Sequence, residues 1–303
     1  METLDPKLAK QVQDAIEGEV YLDAYTCGRY ATDASIYQIK PLGVVVPKTV
    51  RDVEATLSIT QKHEVPILAR GAGTSQCGQT VNRALVVDCT KYLDQVISFD
   101  PEDRRLRAQP GLVLDQLNEF LRPHGLWFPV DISTSSQATI GGMTGNNSCG
   151  ARSIRYGTMR DNVVSISAIL ANGRRRAFGE IEKPRRDTKG AWDSDILTEK
   201  LLQIGLREAT EIESRFPKLM RRVGGYNIDA LRPDQSVPVN LAHLLVGSEG
   251  TLGFFESIEL SLSPLPSHRV LGVCRFTTFY EAMVATKSIV SLKPTAVELL
   301  DRT

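Results

Sequence analysis

The stretch STSSQATIGGMTGNNSCG, residues 133–150, decides the fold of this chain. It combines glycines, hydroxyl side chains and two adjacent asparagines, Asn146 and Asn147, and it offers little apolar core material. Glycine lets a backbone approach a ligand closely, and short polar side chains add donors and acceptors. The stretch therefore predicts a site for a flat polar ligand rather than a buried structural element.

Two more glycine-rich segments lie on either side, ARGAGTSQCG at 69–78 and GSEGTLG at 247–253. Glycines after a strand can turn successive N–H groups toward one point, which suits a pyrophosphate. The first segment alone is equally compatible with a tight turn between strands. A nicotinamide dinucleotide site is disfavoured, because Gln76 replaces the third glycine of its fingerprint and no helix opens there. Three such loops together indicate a large ligand with a long polar tail.

Composition excludes several classes of function. The chain has 303 residues, 42% of them apolar, and its 36 basic residues balance 36 acidic ones, so no global field favours nucleic acid. No apolar run is long enough to span a bilayer, and the N-terminus resembles neither a signal nor a transit peptide. Five scattered cysteines and four histidines lack metal-ligand spacing, so no metal is expected. These features favour a cytoplasmic protein, or one attached peripherally to the inner face of the membrane.

Apolar periodicity predicts an N-terminal helix over residues 1–20, then a parallel strand–helix–strand unit, two hairpins and a long helix. The predicted strands are Gly43–Val46, Pro66–Ala69, Ala84–Asp88, Val96–Phe99, Arg105–Ala108, Val163–Leu170 and Arg174–Phe178, and the helices begin at Thr49, span Leu112–Leu121 and span Ser194–Ser214. Phe254–Leu262 alternates apolar and polar residues as an edge or half-buried strand does. Val270–Phe276, Phe279–Val290 and Thr295–Leu300 read as strand, helix and strand of a second, incomplete domain.

Four motifs in this order resemble the FAD-binding domain of the vanillyl-alcohol-oxidase/para-cresol-methylhydroxylase (PCMH-type) family. They are Arg70-Gly-Ala-Gly-Thr-Ser, Thr139-Ile-Gly-Gly, Arg155-Tyr-Gly and Gly247-Ser-Glu-Gly-Thr-Leu-Gly, and they are most similar to the D-lactate/glycolate/2-hydroxyglutarate dehydrogenase branch. Arg29–Tyr37 further resembles large members of that branch that carry an iron–sulfur module.

The resemblance implies an α+β protein in which two α/β subdomains hold FAD between them, followed by the truncated start of an α+β cap domain. The implied boundaries are an N-terminal helical segment at 1–35, the FAD-binding domain at 36–265 with a partly helical insertion at 180–240, and the beginning of the cap at 266–303. The cap would carry the substrate-binding groups.

The resemblance also implies the residues that contact FAD. Residues 70–76 would hold the pyrophosphate, and residues 131–136 and 139–142 would contact the pyrophosphate and the ribityl chain. Residues 146–150 and 153–157 would lie along the isoalloxazine, residues 247–253 would close the adenosine side, and Pro47 would lie near the adenine. The implied set is Pro47, Arg70, Gly71, Ala72, Gly73, Thr74, Ser75, Gln76, Asp131, Ser133, Ser136, Thr139, Gly141, Gly142, Asn146, Asn147, Ser148, Gly150, Ser153, Tyr156, Gly157, Glu249, Gly250 and Gly253.

By resemblance the chain is mainly the FAD-binding part of a dehydrogenase of a small D-2-hydroxy acid such as D-lactate or D-2-hydroxyglutarate, with hydride passing to flavin N5. Electrons would leave through an iron–sulfur module, a quinone or a cytochrome outside this chain. The alternatives are a non-catalytic flavin-binding subunit of an assembly, or an FAD-linked oxidase of another alcohol or sugar. No histidine lies in the flavin loops and Cys77 and Cys149 read as small fillers, so FAD is expected to be non-covalent.

No catalytic residue is identified in this chain, and the fragment alone is expected to be inactive or weakly active. Glu249 is interpreted as a hydrogen-bonding residue rather than a base, and His243 as a core histidine. One of Arg152, Arg155 and Arg160 could face a substrate carboxylate, which a guanidinium suits.

Overall fold

The computed structural model describes residues 3–181, 195–233 and 238–301. Its helices are α1 Pro6–Ala15, α2 Ala24–Arg29, α3 Val50–Lys62, α4 Leu114–Leu121, α5 Ile140–Gly145, α6 Ser153–Tyr156, α7 Met159–Asn162, α8 Ile196–Arg207, α9 Ala209–Arg215, α10 Ala242–Leu245 and α11 Phe279–Ser291. Its strands are β1 Glu19–Tyr21, β2 Gly43–Val46, β3 Ile67–Arg70, β4 Leu85–Asp88, β5 Val96–Asp100, β6 Arg105–Ala108, β7 Leu126–Trp127, β8 Val163–Ile169, β9 Arg175–Phe178, β10 Phe254–Ser261 and β11 Ser263–Pro264. Short 3₁₀ turns occur at Arg122–His124 and Ile228–Leu231.

The first sheet has the order β1-β2-β4-β3, and β2, β4 and β3 run parallel. The strands β2 and β4 are buried on both faces, as their continuous apolar sequences require. Helix α3 begins with a capping box in which Thr49 and Asp52 satisfy each other's backbone N–H groups. The predicted parallel strand–helix–strand unit is confirmed, with β4 inserted between its two strands.

The second sheet is antiparallel, with the order β5-β6-β10-β8-β9. Both predicted hairpins are present. Of the two alternatives predicted for Phe254–Leu262, the edge strand is wrong, because β10 lies at the centre of this sheet, whereas the half-buried strand agrees with its alternation of buried and partly exposed residues. Ile258 and Leu260 are completely buried there. The polar residues that alternate with them include Glu259, which pairs with Arg107 of the neighbouring strand at 2.8 Å.

The two sheets belong to two α/β units that pack against each other. Val53 of α3 and Val87 of β4 share a buried cluster with Ile169 of β8 and Phe254 of β10. A larger core fills the second unit around α4, α5 and the inner face of β10. The α+β class expected from the sequence is therefore confirmed, and the seam between the units is where the glycine-rich loops meet.

The N-terminal helix is shorter than predicted. Helix α1 begins after Asp5, whose carboxylate accepts from the Lys7 N–H, with Pro6 in its first turn, and it ends at Ala15. At Gly18 a Cβ would lie 2.4 Å from the carbonyl oxygen of Val46, so this position accepts only glycine against β2. The chain continues as β1, which pairs antiparallel with β2.

Glu19 links β1 to the rest of the first unit through hydrogen bonds. It accepts hydrogen bonds from Lys91, Tyr92 and Tyr21, and these contacts lower its pKa from 4.5 to about 2. A carboxyl whose pKa falls on folding stabilises the protein fully above its ordinary pKa, and this contribution is lost as the pH falls toward 2.

We therefore expect Glu19→Gln to lower the free energy of unfolding by about 1 kcal/mol at neutral pH. The difference from the unaltered protein should shrink between pH 4.5 and 2, the range set by the two pKa values. Urea unfolding at several pH values measures it, with the exposed Glu17→Gln as the matched control. An equal difference at pH 6 and pH 2 would show that the charge of Glu19 is not responsible.

Two predictions in the last third of the chain are wrong. The long helix of 194–214 is interrupted at Glu208, where ψ is 5°, which separates α8 from α9; Ser194 lies outside the described residues. Val270–Phe276 and Thr295–Leu300 are not strands, because no strand among the described residues pairs with them, and Val270 is 96% exposed. The predicted helix is present as α11. No helix in the described part of the chain is long and apolar enough to cross a membrane.

Candidate functional site

A cavity of about 1040 Å³ opens along the seam between the two units. This volume lies at the upper end of the range for small-molecule sites. All three glycine-rich loops contribute to its wall. The sequence-predicted residues that line it are Arg70, Gly71, Ala72, Gly73, Thr74, Ser75, Gln76, Asp131, Ser133, Thr139, Gly141, Gly142, Asn146, Asn147, Ser148, Gly150, Glu249, Gly250 and Gly253.

The first loop supplies hydrogen-bond donors that the protein itself does not use. Among the described residues, no hydrogen bond is made by the backbone N–H groups of residues 72–77. Gly73 has a φ of +68°, a conformation in which glycine turns the chain back on itself. Consecutive unpaired N–H groups around such a turn form an anion-binding nest. The loop can therefore hold a phosphate group without a cationic side chain.

Arg70, which also lines the cavity, braces this loop through its side chain. Its guanidinium donates to the carbonyl oxygens of Thr32 at 2.7 Å, Tyr30 at 2.9 Å and Thr80 at 3.0 Å. It also lies over the ring of Tyr30, whose hydroxyl donates to the Asp88 carboxylate. Burial lowers the pKa of Arg70, while the charge of Asp88 opposes that shift. The guanidinium of Arg70 therefore holds the shape of the loop through these three carbonyl groups.

The second loop contains a helix that its glycine-rich composition does not predict, since residues 140–145 form α5. Thr139 caps it by accepting from the Gly142 N–H at 3.2 Å. The N–H groups of Ile140 and Gly141 donate to the carbonyl oxygens of Leu112 and Pro110. The donors at this helix N-terminus are thus already satisfied by the protein, and Thr139–Gly142 offer surface rather than free N–H groups.

Glycines permit contacts between the loops that no larger residue would allow. A Cβ on Gly71 would lie 2.3 Å from Thr139 Oγ1, so the first and second loops touch there. A Cβ on Gly150 would lie 1.8 Å from the carbonyl oxygen of Asp131. Both positions line the cavity, and these close contacts fix the positions of the loops relative to each other.

The third loop is tied to α5 through its backbone. The N–H groups of Gly247 and Glu249 donate to the carbonyl oxygens of Thr144 at 2.9 Å and Gly145 at 2.8 Å. Glu249 has a φ of +53°, which is unfavourable for a residue with a side chain and is typical of functional sites. The Glu249 side chain is thereby directed toward the first loop.

Glu249 and Gln79 join the third loop to the first. Gln79 Nε2 donates to Glu249 Oε1 at 3.2 Å, and both residues line the cavity. Burial raises the pKa of Glu249, although this hydrogen bond opposes the shift. Gln79 Oε1 is buried and has no partner in the described part of the protein. A buried acceptor without a donor indicates a missing ligand group.

Five predicted residues do not line the cavity. Pro47 is buried at the end of β2, and Ser136 lies in the turn before Thr139. Ser153 accepts from the Gly150 N–H at 3.0 Å, Tyr156 packs edge-on against Trp127, and Gly157 makes room for the carboxylate of Asp161. The last three support the second loop from behind, which the linear sequence cannot distinguish from contact with a ligand.

Several lining residues are absent from the prediction. Gln79, Val223, Gly224 and Glu298 reach the cavity from other parts of the chain. Gln79 follows a recognisable loop, so its position could have been inferred from that loop. Val223 and Gly224 lie at the glycine pair Gly224-Gly225, a weaker signal than the three loops, and Glu298 comes from a segment without such a signal, so only the tertiary structure reveals it.

The other candidate polar residues have partners in the protein. Arg152 lies near Asp131 at 3.7 Å and over Trp127, and Arg155 lies over Tyr156. Arg160 pairs with Asp229 at 2.7 Å, away from the large cavity. Burial lowers the pKa of His243 to about 4, with the charge of Arg160 adding to the shift, which agrees with a neutral core histidine.

The cavity, the donor loop and the glycine contacts define a site for a phosphate-containing cofactor between two α/β units. Residues 41–179 match the family described as an FAD binding domain. Residues 41–179 therefore correspond to an FAD-binding domain of this family. FAD fits the features present, since the loop at 72–77 offers N–H groups to a pyrophosphate and Gln79 Oε1 offers an acceptor to a donor of the cofactor.

The chain is similar to several characterised proteins. It is 33% identical over 289 residues to a D-2-hydroxyglutarate dehydrogenase of Pseudomonas putida, covering 94% of this chain and 29% of that protein. It is 28% identical over 293 residues to the glycolate oxidase subunit GlcD of Bacillus subtilis, covering 95% of this chain and 52% of that protein. An alkyldihydroxyacetonephosphate synthase structure shares the fold, with a TM-score of 0.66 at 19% identity over 97% of this chain and 47% of that one. The chain thus spans only part of the length of these relatives.

Proposed function

We propose that this chain is the FAD-binding part of a dehydrogenase that oxidises a small D-2-hydroxy acid, such as D-2-hydroxyglutarate or D-lactate. The relatives named for D-2-hydroxyglutarate and D-lactate support this substrate class. The observation that carries the cofactor assignment is the run of unpaired backbone N–H groups at residues 72–77 beside the cavity. FAD, when bound, supplies the acceptor for the substrate's hydride.

Each loop has a separate task in this proposal. The first loop binds the pyrophosphate through its backbone, while the side chain of Arg70 fixes the shape of that loop. Residues 146–150 and Ser133 line the flavin-side wall, and Glu249 with Gln79 accepts hydrogen bonds from donors of the cofactor. Pro47, Ser136, Ser153, Tyr156 and Gly157 act as supports.

We propose that FAD is held without a covalent bond. No histidine lies in the flavin loops, and Cys77 and Cys149, which line the cavity, are free cysteines that we interpret as small fillers. The electron acceptor in the proposal is an iron–sulfur module, a quinone or a cytochrome; one relative is named D-lactate dehydrogenase [cytochrome].

The proposal also covers the domain division. Residues 36–265 form the FAD-binding domain, with the segment around α8 and α9 as a partly helical insertion, and residues 266–303 begin a cap. Large apolar side chains around α11 are exposed, among them Val270, Leu271 and Leu300. Further chain packed on this surface would bury them. The groups that bind the substrate and accept its proton would then lie on the cap.

The test is to purify the chain, add FAD and remove the excess. We expect an oxidised-flavin absorbance spectrum with one FAD per chain, because the cavity and donor loop are complete. After acid precipitation the yellow colour should stay in the supernatant. The FAD-loaded chain should reduce its flavin slowly or not at all with D-2-hydroxyglutarate, because the proposed substrate groups lie outside it.

The outcomes separate the parts of the proposal. A colourless protein that does not take up FAD would overturn the cofactor assignment. Flavin that remains with the precipitated protein would overturn non-covalent binding alone. Rapid bleaching of the flavin by D-2-hydroxyglutarate would show that this chain already holds the substrate-binding groups.

A further inference from the structure

A second cavity of about 510 Å³ lies beside the cofactor cavity, between the insertion and the second sheet. Asn147 lines both cavities. Its side chain accepts from the Arg160 N–H at 3.0 Å and donates to the carbonyl oxygen of Arg222 at 3.4 Å. The second cavity is therefore structurally attached to the cofactor site, but its lining is otherwise different.

Arg160, Arg222 and Asp229 form an arginine clamp in the wall of this cavity. Arg160 Nη1 lies 2.7 Å from Asp229 Oδ2, and Arg222 Nη2 lies 2.6 Å from Asp229 Oδ1. Both nitrogens also lie 3.3 Å from Asn227 Oδ1. Two guanidinium groups thus share one carboxylate, which leaves one positive charge of the clamp unmatched.

Each guanidinium of the clamp keeps donors for a ligand. The contacts to Asp229 and Asn227 use one nitrogen of Arg160 and one of Arg222. Within the described residues, the remaining nitrogens of these two side chains make no hydrogen bond. A guanidinium carries five N–H donors and binds a carboxylate through two of them at once.

The clamp is held rigidly before any ligand arrives. Arg222 lies over the ring of Phe216, 4.3 Å from its centroid, and the side chains of Arg160 and Arg222 are mostly buried. His243 also lines the cavity and is neutral at pH 7, since burial lowers its pKa to about 4. A preorganised donor pair loses little conformational freedom on binding, which favours affinity.

The wall contributed by α9 and the five residues after it is mostly apolar, and its two charged residues, Glu213 and Lys218, pair with each other at 2.5 Å. Ile212, Phe216, Pro217, Leu219 and Met220 line it. Leu219 and Met220 are 69% and 62% exposed, so they would gain from an apolar ligand that covers them. The cavity thus combines one cationic clamp with one apolar wall.

We propose that this cavity binds a small monocarboxylic acid with an apolar body, its carboxylate on the arginine clamp and its body on the apolar wall. A singly charged group matches the one unmatched charge of the clamp. Lys218 and Arg232 also line the cavity, as do Asp161 and Glu213, so the lining as a whole has four cationic and three anionic side chains and favours a monoanion over a dianion such as phosphate. This site is separate from the cofactor cavity and does not depend on the proposed dehydrogenase activity.

The test titrates the full chain, loaded with FAD, with 4-methylpentanoate and measures heat by calorimetry. We expect one site, no binding of the neutral 4-methylpentanamide, and at least 10-fold weaker binding in Arg160→Met and Arg222→Met, which is the loss of one charge-assisted hydrogen bond. Arg221→Met is the matched control, since Arg221 is exposed and outside the cavity lining. Its affinity should equal that of the unaltered chain.

A further variant, Asp229→Asn, keeps the proposal testable if the two arginine variants do not fold. Asp229→Asn keeps an acceptor between the two arginines but removes the competing charge, so it should bind 4-methylpentanoate several-fold more tightly. Weaker binding in Asp229→Asn would overturn the proposal. So would equal binding of the acid and the amide, tighter binding of inorganic phosphate, or no binding to the unaltered chain.

Discussion

Replacing Gly150 with alanine is expected to abolish stoichiometric FAD binding. The added Cβ would lie 1.8 Å from the carbonyl oxygen and 2.4 Å from the carboxylate of Asp131, and neither the second loop nor Asp131 can retreat without reshaping the cavity wall. Overpacking of this kind costs about 1–3 kcal/mol or more. Because the strain falls on the cavity wall, we expect at least a 10-fold loss of FAD affinity, measured by fluorescence titration.

Gly28→Ala is the matched control for Gly150→Ala. Gly28 lies in helix α2, and a Cβ there meets nothing within 4 Å. Its FAD affinity should be unchanged, and its stability should rise slightly because alanine favours the helix. If Gly150→Ala binds FAD as well as Gly28→Ala does, then the contact between Asp131 and Gly150 does not shape the cofactor site.

Replacing Arg70 with methionine is expected to destabilise the protein by about 3 kcal/mol or more. The carbonyl oxygens of Tyr30, Thr32 and Thr80 would lose their common donor, and Asp88 would lose a nearby positive charge inside the fold. Methionine roughly fills the volume of the aliphatic part of the arginine side chain. The loss of unfolding free energy therefore measures the contribution of the polar contacts. Chemical denaturation of the FAD-free chain measures it directly.

The matched control for Arg70→Met is Arg83→Met, because Arg83 is exposed nearby. It should change the free energy of unfolding by less than about 0.5 kcal/mol. The supporting role of Arg70 predicts that FAD affinity also falls, since the loop at 72–77 loses its brace. A stable Arg70→Met chain that fails to bind FAD would instead indicate that the guanidinium contacts the cofactor.

The sequence predicts the cofactor loops well, because a glycine-rich turn after a strand is a local signal. Residues 71–76 therefore appear both in the prediction and in the cavity wall. The direction of a long side chain is not a local property. Arg70 follows the expected pattern of a phosphate ligand, but the carbonyl groups that hold it come from residues about 40 positions earlier and 10 later in the chain.

The same limit explains the errors in the fold. An alternating strand such as Phe254–Leu262 looks alike at an edge and at the centre of a sheet, because its partners are distant in sequence. The segments Val270–Phe276 and Thr295–Leu300 have strand composition, but a strand exists only where another strand pairs with it. The local sequence pattern predicts whether a segment favours a strand, and the neighbouring strands in the sheet decide whether it forms one and where it lies.

The central position of β10 has a consequence for how the chain folds. The hairpins β5–β6 and β8–β9 can each form from neighbouring residues, but β10 joins them across about 150 residues, pairing Ile258 with Ala108. Contacts so distant in sequence slow folding. During synthesis on the ribosome, the second sheet must therefore wait for β10 to emerge, and the third glycine-rich loop arrives just before it. The third loop, and with it one wall of the cofactor cavity, is therefore added only after most of this part of the chain has been synthesised.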